Sequence, residues 1–333
     1  METRVILLGT AGGALTWPPS DGVQRAGTSS ALVVGDSIYL IDLGMGAGRQ
    51  LVIADPLERG YGTVFRDLAA VFITHLHSDH VLDLPALVLS GYEQGWPAHR
   101  VPIYGPWSRT MLPEAYPQGR VPAGGTTTPG TARLTEAVIA GFSADTLDRI
   151  ASSAKPSPVD MVIGIDIKPP TPAARHHHPG VIVPFEVYQD DRVRVVATLG
   201  EHGTMYPALA YRFDTAAGSA VFSGDTAPSA NVIALAEGAD LLVHECIDDS
   251  LVSWGLTSDS DPERLAYMRF VLSKHTTASQ VGGVASAAGV HTLVLNHLVP
   301  GHAPREHWLA SRDRFAGDVI VGRDFDVFRL PRP

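Results

Sequence analysis

Short apolar runs bounded by glycine or other turn residues predict β-strands in both halves of the chain. In the first half these runs are 5–8, 30–34, 38–41 and 68–73, and in the second half 193–198, 208–213, 220–223, 241–244, 292–296, 319–321 and 326–329. Longer segments with apolar residues at helical spacing predict helices at 83–93, 231–237, 277–288 and 305–315. Strands and helices therefore alternate at both ends of the chain.

Residues 106–185 differ from the sequence on either side. Pro, Gly, Thr and Ala dominate this segment, and only 134–150 has helical spacing. Such a composition predicts a loop-rich insertion, a lid or a dimerisation arm, and not a second packed domain. We therefore expect one domain over 1–333 that carries a Pro/Gly-rich insertion at about 106–185.

The composition is that of a globular protein, with 45% hydrophobic and 18% charged residues among 333. The net charge is −10, and no run of Lys or Arg stands out. Because nucleic-acid binding depends on cationic contacts to phosphates, this charge weighs against a nucleic-acid partner. A small-molecule substrate is expected instead. The single cysteine, Cys246, excludes an internal disulfide framework, so a metal would have to be held by carboxylates and the 14 histidines.

No apolar stretch reaches the ~20 residues that a membrane-spanning helix requires. The N-terminal apolar run 5–8 is followed by a glycine turn, which favours a first strand over a signal peptide. A cytoplasmic protein without a membrane partner is the default expectation.

A dense group of metal-ligand residues follows the predicted strand 68–73. His75 and His77 are two residues apart on an extended segment, so their side chains point the same way. Asp79 and His80 follow in the turn that begins the next helix, where the backbone can aim them at a second point. Imidazole suits zinc and carboxylate fits borderline or harder divalent ions, so one short segment could serve two neighbouring ions.

Three further residues stand just beyond later strands and predict the rest of such a site. His202 follows 193–198, Asp225 follows 220–223, and His297 follows 292–296. Ligands at several strand ends converge at one rim of a sheet sandwich. Singly, His202 or His297 would more often be a structural histidine, but the preceding cluster makes both candidate ligands.

The order of these residues, a His-x-His-x-Asp-His motif followed by His, Ser-Gly-Asp-Thr and His, resembles the metallo-β-lactamase superfamily. The resemblance covers 1 to about 330, apart from 106–185. It implies an α+β fold, a four-layer αβ/βα sandwich with two mixed sheets face to face and helices outside. It also implies one metal held by His75, His77 and His202, a second held by Asp79, His80 and His297, and Asp225 bridging the two.

The resemblance further implies a metal-bridging hydroxide as nucleophile. A bound metal can lower the pKa of water to about 7, which makes hydroxide available at neutral pH. We expect two Zn²⁺ ions per chain, with Mn²⁺ as the alternative.

Two more segments resemble the ribonuclease Z-like branch of that superfamily. Leu-Val-His-Glu-Cys at 242–246 and His-Thr-Thr at 275–277 correspond to a Glu that follows a strand and a His that pairs with it, here Glu245 and His275. Carboxylate pairing orients an imidazole and favours its protonated form, which suits a proton donor to a leaving group. Asp79, His275 and Glu245 are therefore the predicted catalytic residues. Alternatively, Glu245 is a structural carboxylate and His275 only begins a helix.

The sequence departs from the tRNA-processing enzymes of that branch in two ways. The chain is acidic, and Leu-Val-Pro-Gly-His follows His297 where those enzymes have a Ser- and Arg-containing tail. The sequence looks more like the arylsulfatase-like and small-ester hydrolases of the branch.

Two sets of residues remain as further candidates. Trp254 lies in a Ser/Gly/Asp-rich stretch between the Glu245 and His275 segments and is the preferred substrate-pocket residue. His176, His177 and His178 could bind an extra metal, for example across a homodimer interface, or could form a solvated loop.

The preferred function is a dinuclear-zinc hydrolase acting on a small ester-like or activated aromatic substrate, with a sulfate ester or phosphodiester favoured. The alternatives are a tRNA 3′-end endonuclease, a hydrolytic dehalogenase of a chloroaromatic, and a non-catalytic metal-binding sensor.

Overall fold

Two seven-stranded sheets form the centre of the computed structural model, which describes residues 2–13, 17–19, 24–109, 127–170, 179–251 and 262–330. The strands of the first sheet are β1 (Thr3–Gly9), β2 (Ser29–Val34), β3 (Ser37–Ile41), β4 (Leu68–Phe72), β5 (Val101–Pro106) and β6 (Val162–Ile167). Those of the second are β7 (Phe185–Gln189), β8 (Val193–Leu199), β9 (Leu209–Thr215), β10 (Gly218–Phe222), β11 (Leu241–Ile247), β12 (Thr292–Val299) and β13 (Asp318–Val321). The last strand, β14 (Val327–Arg329), returns to the first sheet.

The two sheets have matching topologies. In the first, β14-β1-β2-β3 pair antiparallel and β3-β4-β5-β6 pair parallel. In the second, β7-β8-β9-β10 pair antiparallel and β10-β11-β12-β13 pair parallel. Each sheet is therefore mixed, and its parallel half is connected through helices as parallel pairing requires.

The helices lie outside the sheets. They are α1 (Ala47–Ala54), α2 (Ser78–Val81), α3 (Leu84–Gln94), α4 (Thr131–Gly141), α5 (Ser143–Ser153), α6 (Pro158–Met161), α7 (Ala230–Leu235), α8 (Pro262–Ser273) and α9 (Ala278–Ala288), with 3₁₀ helices at Val64–Asp67 and Arg305–Arg312. The longest of these described helices has 12 residues, and none of them is long and apolar enough to cross a membrane.

Successive side chains of β1 point to opposite faces of the first sheet and pack into two different apolar layers. Val5 and Leu7 belong to the apolar cluster between the sheets, whereas Ile6 and Leu8 belong to the cluster under α1 and α3. A third cluster packs the outer face of the second sheet against α7 and α9. The order is therefore helix, sheet, sheet, helix, and the predicted αβ/βα sandwich of the metallo-β-lactamase fold is confirmed.

The segment 106–185 is more regular than its composition suggests. The helix predicted at 134–150 is two helices, α4 and α5, separated at Phe142. β6 pairs in parallel with β5 and forms the edge of the first sheet, so this part of the segment belongs to the sandwich. Whether the rest acts as a lid or a dimerisation arm stays a prediction.

Sequence patterning also missed α1, β7 and α8. None of the residues of α8 is buried, so this helix has no apolar stripe to reveal it. Residues 305–312, within the predicted helix 305–315, adopt the tighter 3₁₀ form.

Phe72 lies at the centre of the aromatic contacts between the sheets. It is fully buried, with ring centroids 5.1 Å from Phe213, 5.3 Å from Tyr104 and 5.5 Å from Tyr211. We expect Phe72→Ala to lower the free energy of unfolding by about 3–5 kcal/mol in a denaturant titration, because it removes a buried ring and leaves a cavity. The same change at Phe142, which is 42% exposed, is the matched control. Equal losses in both variants would contradict this description of the core.

Candidate metal centre

The predicted ligands meet at one rim of the sandwich, where strands of both sheets end. His75 and His77 follow β4, and α2 then begins and carries Asp79 and His80. On the second sheet His202 follows β8, Asp225 follows β10, and His297 lies near the end of β12. All except the half-buried His77 are buried.

Four ligand atoms form a first group. Nδ1 of His77 lies 2.9 Å from Nε2 of His75 and 3.2 Å from Nε2 of His202. Oδ2 of Asp225 lies 3.7 Å from Nε2 of His75 and 3.6 Å from Nε2 of His202. Three imidazoles and one carboxylate oxygen therefore face a common point.

A second group forms around the other oxygen of the same carboxylate. Oδ1 of Asp225 lies 3.4 Å from Nε2 of His80 and 3.3 Å from Nε2 of His297. Oδ2 of Asp79 lies 3.7 Å and 3.2 Å from those two nitrogens. Asp225 thus belongs to both groups, one oxygen to each.

These separations fit a divalent metal. Ligands about 2.0–2.1 Å from a tetrahedral zinc ion lie roughly 3.3 Å from one another, and the observed distances bracket that value. Nε2 of His80 and Oδ1 of Asp225 are both buried and have no hydrogen-bond partner among the described residues. Buried polar atoms are rarely left unpaired, so this arrangement has the chemistry of a metal site.

Burial keeps the first group in the protonation state that binds metal. It lowers the pKa of His75 and His202 well below the usual range, and that of His77 to about 4. Burial would raise the pKa of Asp225, but His297, His80 and His75 outweigh it and hold the carboxyl ionised. Neutral imidazoles and a carboxylate are the forms that coordinate a metal.

The second group is more strongly charged. Burial opposes protonation of His80 and His297, but nearby carboxylates, Asp225 foremost, outweigh it and raise both pKa values. Likewise, burial opposes ionisation of Asp79, but His80 and His297 keep its pKa below the ordinary value. The carboxylates therefore favour the protonated, positively charged forms of both histidines.

A β-bulge directs His297 into the site. Glu245 of β11 is opposite Asn296 of β12, and the next residue, Cys246, is opposite Leu298, so His297 is an extra residue in its strand. Its φ of 46° is unusual for a residue other than glycine. Such local strain is tolerated where the surroundings fix a functional side chain.

Gly12 and Gly13 close the second group from the N-terminal side. A Cβ on Gly12 would lie 2.3 Å from Nδ1 of His297, so only glycine fits there. The backbone N–H of Gly13 donates to Oδ2 of Asp79 at 2.8 Å. The glycine turn after β1 therefore supports the ligands directly.

Sequence reasoning missed Asp42, a buried carboxylate that contacts the predicted ligand His80. It lies directly after β3 with φ 58°, and its Oδ2 accepts from Nδ1 of His80 at 2.8 Å. Thr74 donates to it twice, through its backbone N–H at 2.7 Å and its hydroxyl at 2.8 Å. A carboxylate behind a ligating histidine fixes its tautomer and ring orientation. Asp42 directly follows a predicted strand, as the predicted ligands do, and this position was the signal in the sequence that could have identified it.

The predicted Glu245–His275 pair is present beside the site. Nδ1 of His275 lies 2.9 Å and 3.0 Å from the two carboxylate oxygens of Glu245, and 3.9 Å from Oδ2 of Asp225. The backbone N–H of Thr226 donates to Oε1 of Glu245 at 2.7 Å. Because Nδ1 is occupied by Glu245, Nε2 is the ring atom left for another partner. Whether the pair is catalytic stays a prediction.

The remaining candidate residues lie outside the described part of the chain. These are Trp254, the preferred substrate-pocket residue, and His176, His177 and His178, the candidate extra metal site.

This fold, with converging histidines and aspartates at its rim, defines a metal-dependent hydrolase. A model of the metallo-β-lactamase superfamily matches residues 23–274, three quarters of the sequence. The chain belongs to the metallo-β-lactamase superfamily, as the motifs indicated, and the prediction of an enzyme is confirmed over that of a non-catalytic sensor.

Relatives of this chain include several ribonuclease Z proteins. Ribonuclease Z of Mycobacterium avium (strain 104) is 30% identical over 335 residues, which are 99% of each chain. Ribonuclease Z of Mycobacterium bovis (strain BCG / Pasteur 1173P2) is 28% identical over 326 residues, 96% of each chain. The crystal structure of human tRNase Z, short form, has a TM-score of 0.61 at 19% identity over 98% of this chain and 99% of that one.

These relatives overturn one prediction. The chain was expected to act on a small molecule and to have no nucleic-acid partner, but full-length similarity to ribonuclease Z shows that this partner prediction was wrong. The inference failed because net charge sums the whole chain and does not report the potential at a local surface. The same relatives favour the tRNA endonuclease alternative over sulfate-ester hydrolysis.

We expect Asp42→Asn to weaken metal binding about 10–100-fold, the usual effect of losing a carboxylate behind a ligating histidine. An amide offers one acceptor oxygen where three donors now share two. Competition with a chromogenic chelator measures the affinity. Asp190→Asn is the control, because Asp190 accepts from Tyr39 and Tyr188 hydroxyls but lies before β8, at the other end of the strand from His202. Unchanged affinity in the Asp42 variant would refute this role.

Proposed function

We propose that this chain is a metal-dependent endonuclease of the ribonuclease Z type, which cleaves a phosphodiester bond at the 3′ end of precursor tRNA. The observation that carries the proposal is similarity to ribonuclease Z along 99% of both chains, at 30% identity. The metal-ligand cluster and the Glu245–His275 pair support it, because both suit hydrolysis of a phosphodiester with a poor leaving group.

Seven residues are proposed to hold two zinc ions. His75, His77 and His202 would bind one ion, Asp79, His80 and His297 the other, and Asp225 both. Imidazole-rich sets with carboxylates favour zinc and also accept manganese. When bound, such ions lower the pKa of a water and stabilise negative charge on the attacked phosphate.

His275 is proposed as the proton donor. The attacking water first loses one proton to solvent. As the resulting hydroxide oxygen bonds to phosphorus and the bond from phosphorus to the sugar oxygen breaks, Nε2 of His275 gives its proton to that departing oxygen. Glu245, hydrogen-bonded to Nδ1, holds the ring in place and stabilises its positive charge before transfer. The Thr226 N–H fixes Glu245 in turn. A sugar alkoxide is a poor leaving group, so this proton is needed.

Asp79 is proposed to orient the attacking water as well as to bind metal. Its Oδ2 faces His297 and the Gly13 N–H. Within the described residues its Oδ1 makes no hydrogen bond, which leaves that oxygen to accept one from the water.

Cleavage of a precursor tRNA with a 3′ trailer tests the function. We expect zinc- or manganese-loaded protein to release the trailer on a denaturing gel, with binding that weakens steeply as salt rises. Chelation, or His77→Ala, should abolish cleavage. Intact precursor tRNA, together with turnover of aryl sulfates by the same preparation, would contradict the proposal.

The role of His275 has its own signature. We expect His275→Ala to lower kcat on RNA by about 10²–10⁴-fold, the usual contribution of a general acid, and to leave hydrolysis of bis(4-nitrophenyl) phosphate nearly unchanged. The reason is that 4-nitrophenolate departs without a proton. His307→Ala is the matched control. His307 also pairs with a carboxylate, since its Nδ1 lies 2.6 Å from Oδ2 of Asp248, but it is not one of the metal-ligand residues. Equal losses on both substrates would assign His275 a structural role.

A further inference from the structure

A cavity of about 310 Å³ is lined by residues that are close in sequence to two of the predicted ligands, His77 and His202. Leu76 and Ser78, which flank His77, line one side, and Met205 and Tyr206, just beyond His202, line another. This volume is at the lower end of the roughly 300–1,000 Å³ of small-molecule sites. The cavity is therefore large enough for a small group, and its walls include the chain neighbours of His77.

The walls of the cavity are mostly apolar and partly aromatic. The rings of Trp107 and Tyr206 both line it and meet edge to face, with centroids 5.5 Å apart. Leu134 of α4 lines it as well. Aromatic and apolar walls of this kind suit a flat ring, which can pack against them on its faces.

One cation is fixed in the wall. Arg109 donates through one terminal nitrogen to the backbone carbonyls of Thr204 and Tyr206, at 2.8 Å and 3.1 Å. Its Nε is buried and has no hydrogen-bond partner among the described residues. Two backbone carbonyls thus hold the guanidinium in the wall of this cavity, and no carboxylate of the described residues forms an ion pair with it.

We propose that this cavity binds the nucleobase of a nucleotide that borders the scissile phosphate. The inference rests on the proposed function, which supplies a polynucleotide at the metal centre. A base has the flat apolar faces that the Trp107 and Tyr206 walls accept and polar edges that Arg109 can meet. Its sugar and phosphate would then lead out past His77 towards the ligands.

Two esters with the same leaving group test the proposal. Thymidine 5′-(4-nitrophenyl) phosphate carries a base, and methyl 4-nitrophenyl phosphate does not. We expect the wild-type protein to prefer the nucleoside ester by about tenfold or more in kcat/KM, the scale of one stacked base. Leu134→Trp should remove that preference by filling the cavity, and leave kcat/KM for the methyl ester within about twofold.

Leu147→Trp is the matched control, because Leu147 lies on α5, is 63% exposed and does not line the cavity. It should keep the wild-type preference. If Leu134→Trp fails to fold, Thr128→Trp fills the cavity from a different segment. A wild-type preference near one, or equal losses on both esters, overturns the proposal and leaves the proposed function standing.

Failure of the proposed function would give a different set of results. If the metal-loaded protein hydrolyses neither ester nor RNA, calorimetric binding of thymidine 5′-monophosphate decides the question of the cavity. Binding by the wild type that is lost in Leu134→Trp and retained in Leu147→Trp supports the site. Absence of binding by the wild type overturns it.

Discussion

The two carboxylate oxygens of Asp225 constrain the rest of the structure. Each oxygen faces its own pair of imidazoles, and the side chain is only 3% exposed. Burying two aspartates among five histidines is costly unless positive charge balances them. The carboxylates raise the pKa values of His80 and His297 and so favour such charge, and two divalent ions would also supply it. The sandwich fold, the bulge at His297 and the glycine turn at Gly12 all serve to bring these groups to one point.

Much of the site was predictable because its ligands follow strands that have clear apolar patterns. The motif from His75 to His80 is local in sequence. His202 and Asp225 follow strands that the pattern also predicts, and His297 lies near the end of another. Asp42 was missed because its partner His80 is 38 residues away and the contact arises only when β3 and β4 pair. The bulge at His297 was missed for the same reason, since it is defined by the register against β11.

The helix boundaries and the kind of binding partner were harder to predict from the sequence. α8 has no buried face, and α4 and α5 run together in sequence with only Phe142 between them, so periodicity could not separate them. The acidic net charge led to the wrong partner, because a sum over the chain does not describe a local surface. The relation to ribonuclease Z instead rests on similarity along the whole chain.

Anomalous diffraction from zinc-loaded crystals tests the central claim most directly. The account predicts two peaks about 3.5–4 Å apart, the spacing of two-metal hydrolases, with one oxygen of Asp225 on each. One peak should be surrounded by His75, His77 and His202, and the other by Asp79, His80 and His297. A single peak, or peaks that Asp225 does not join, would contradict it.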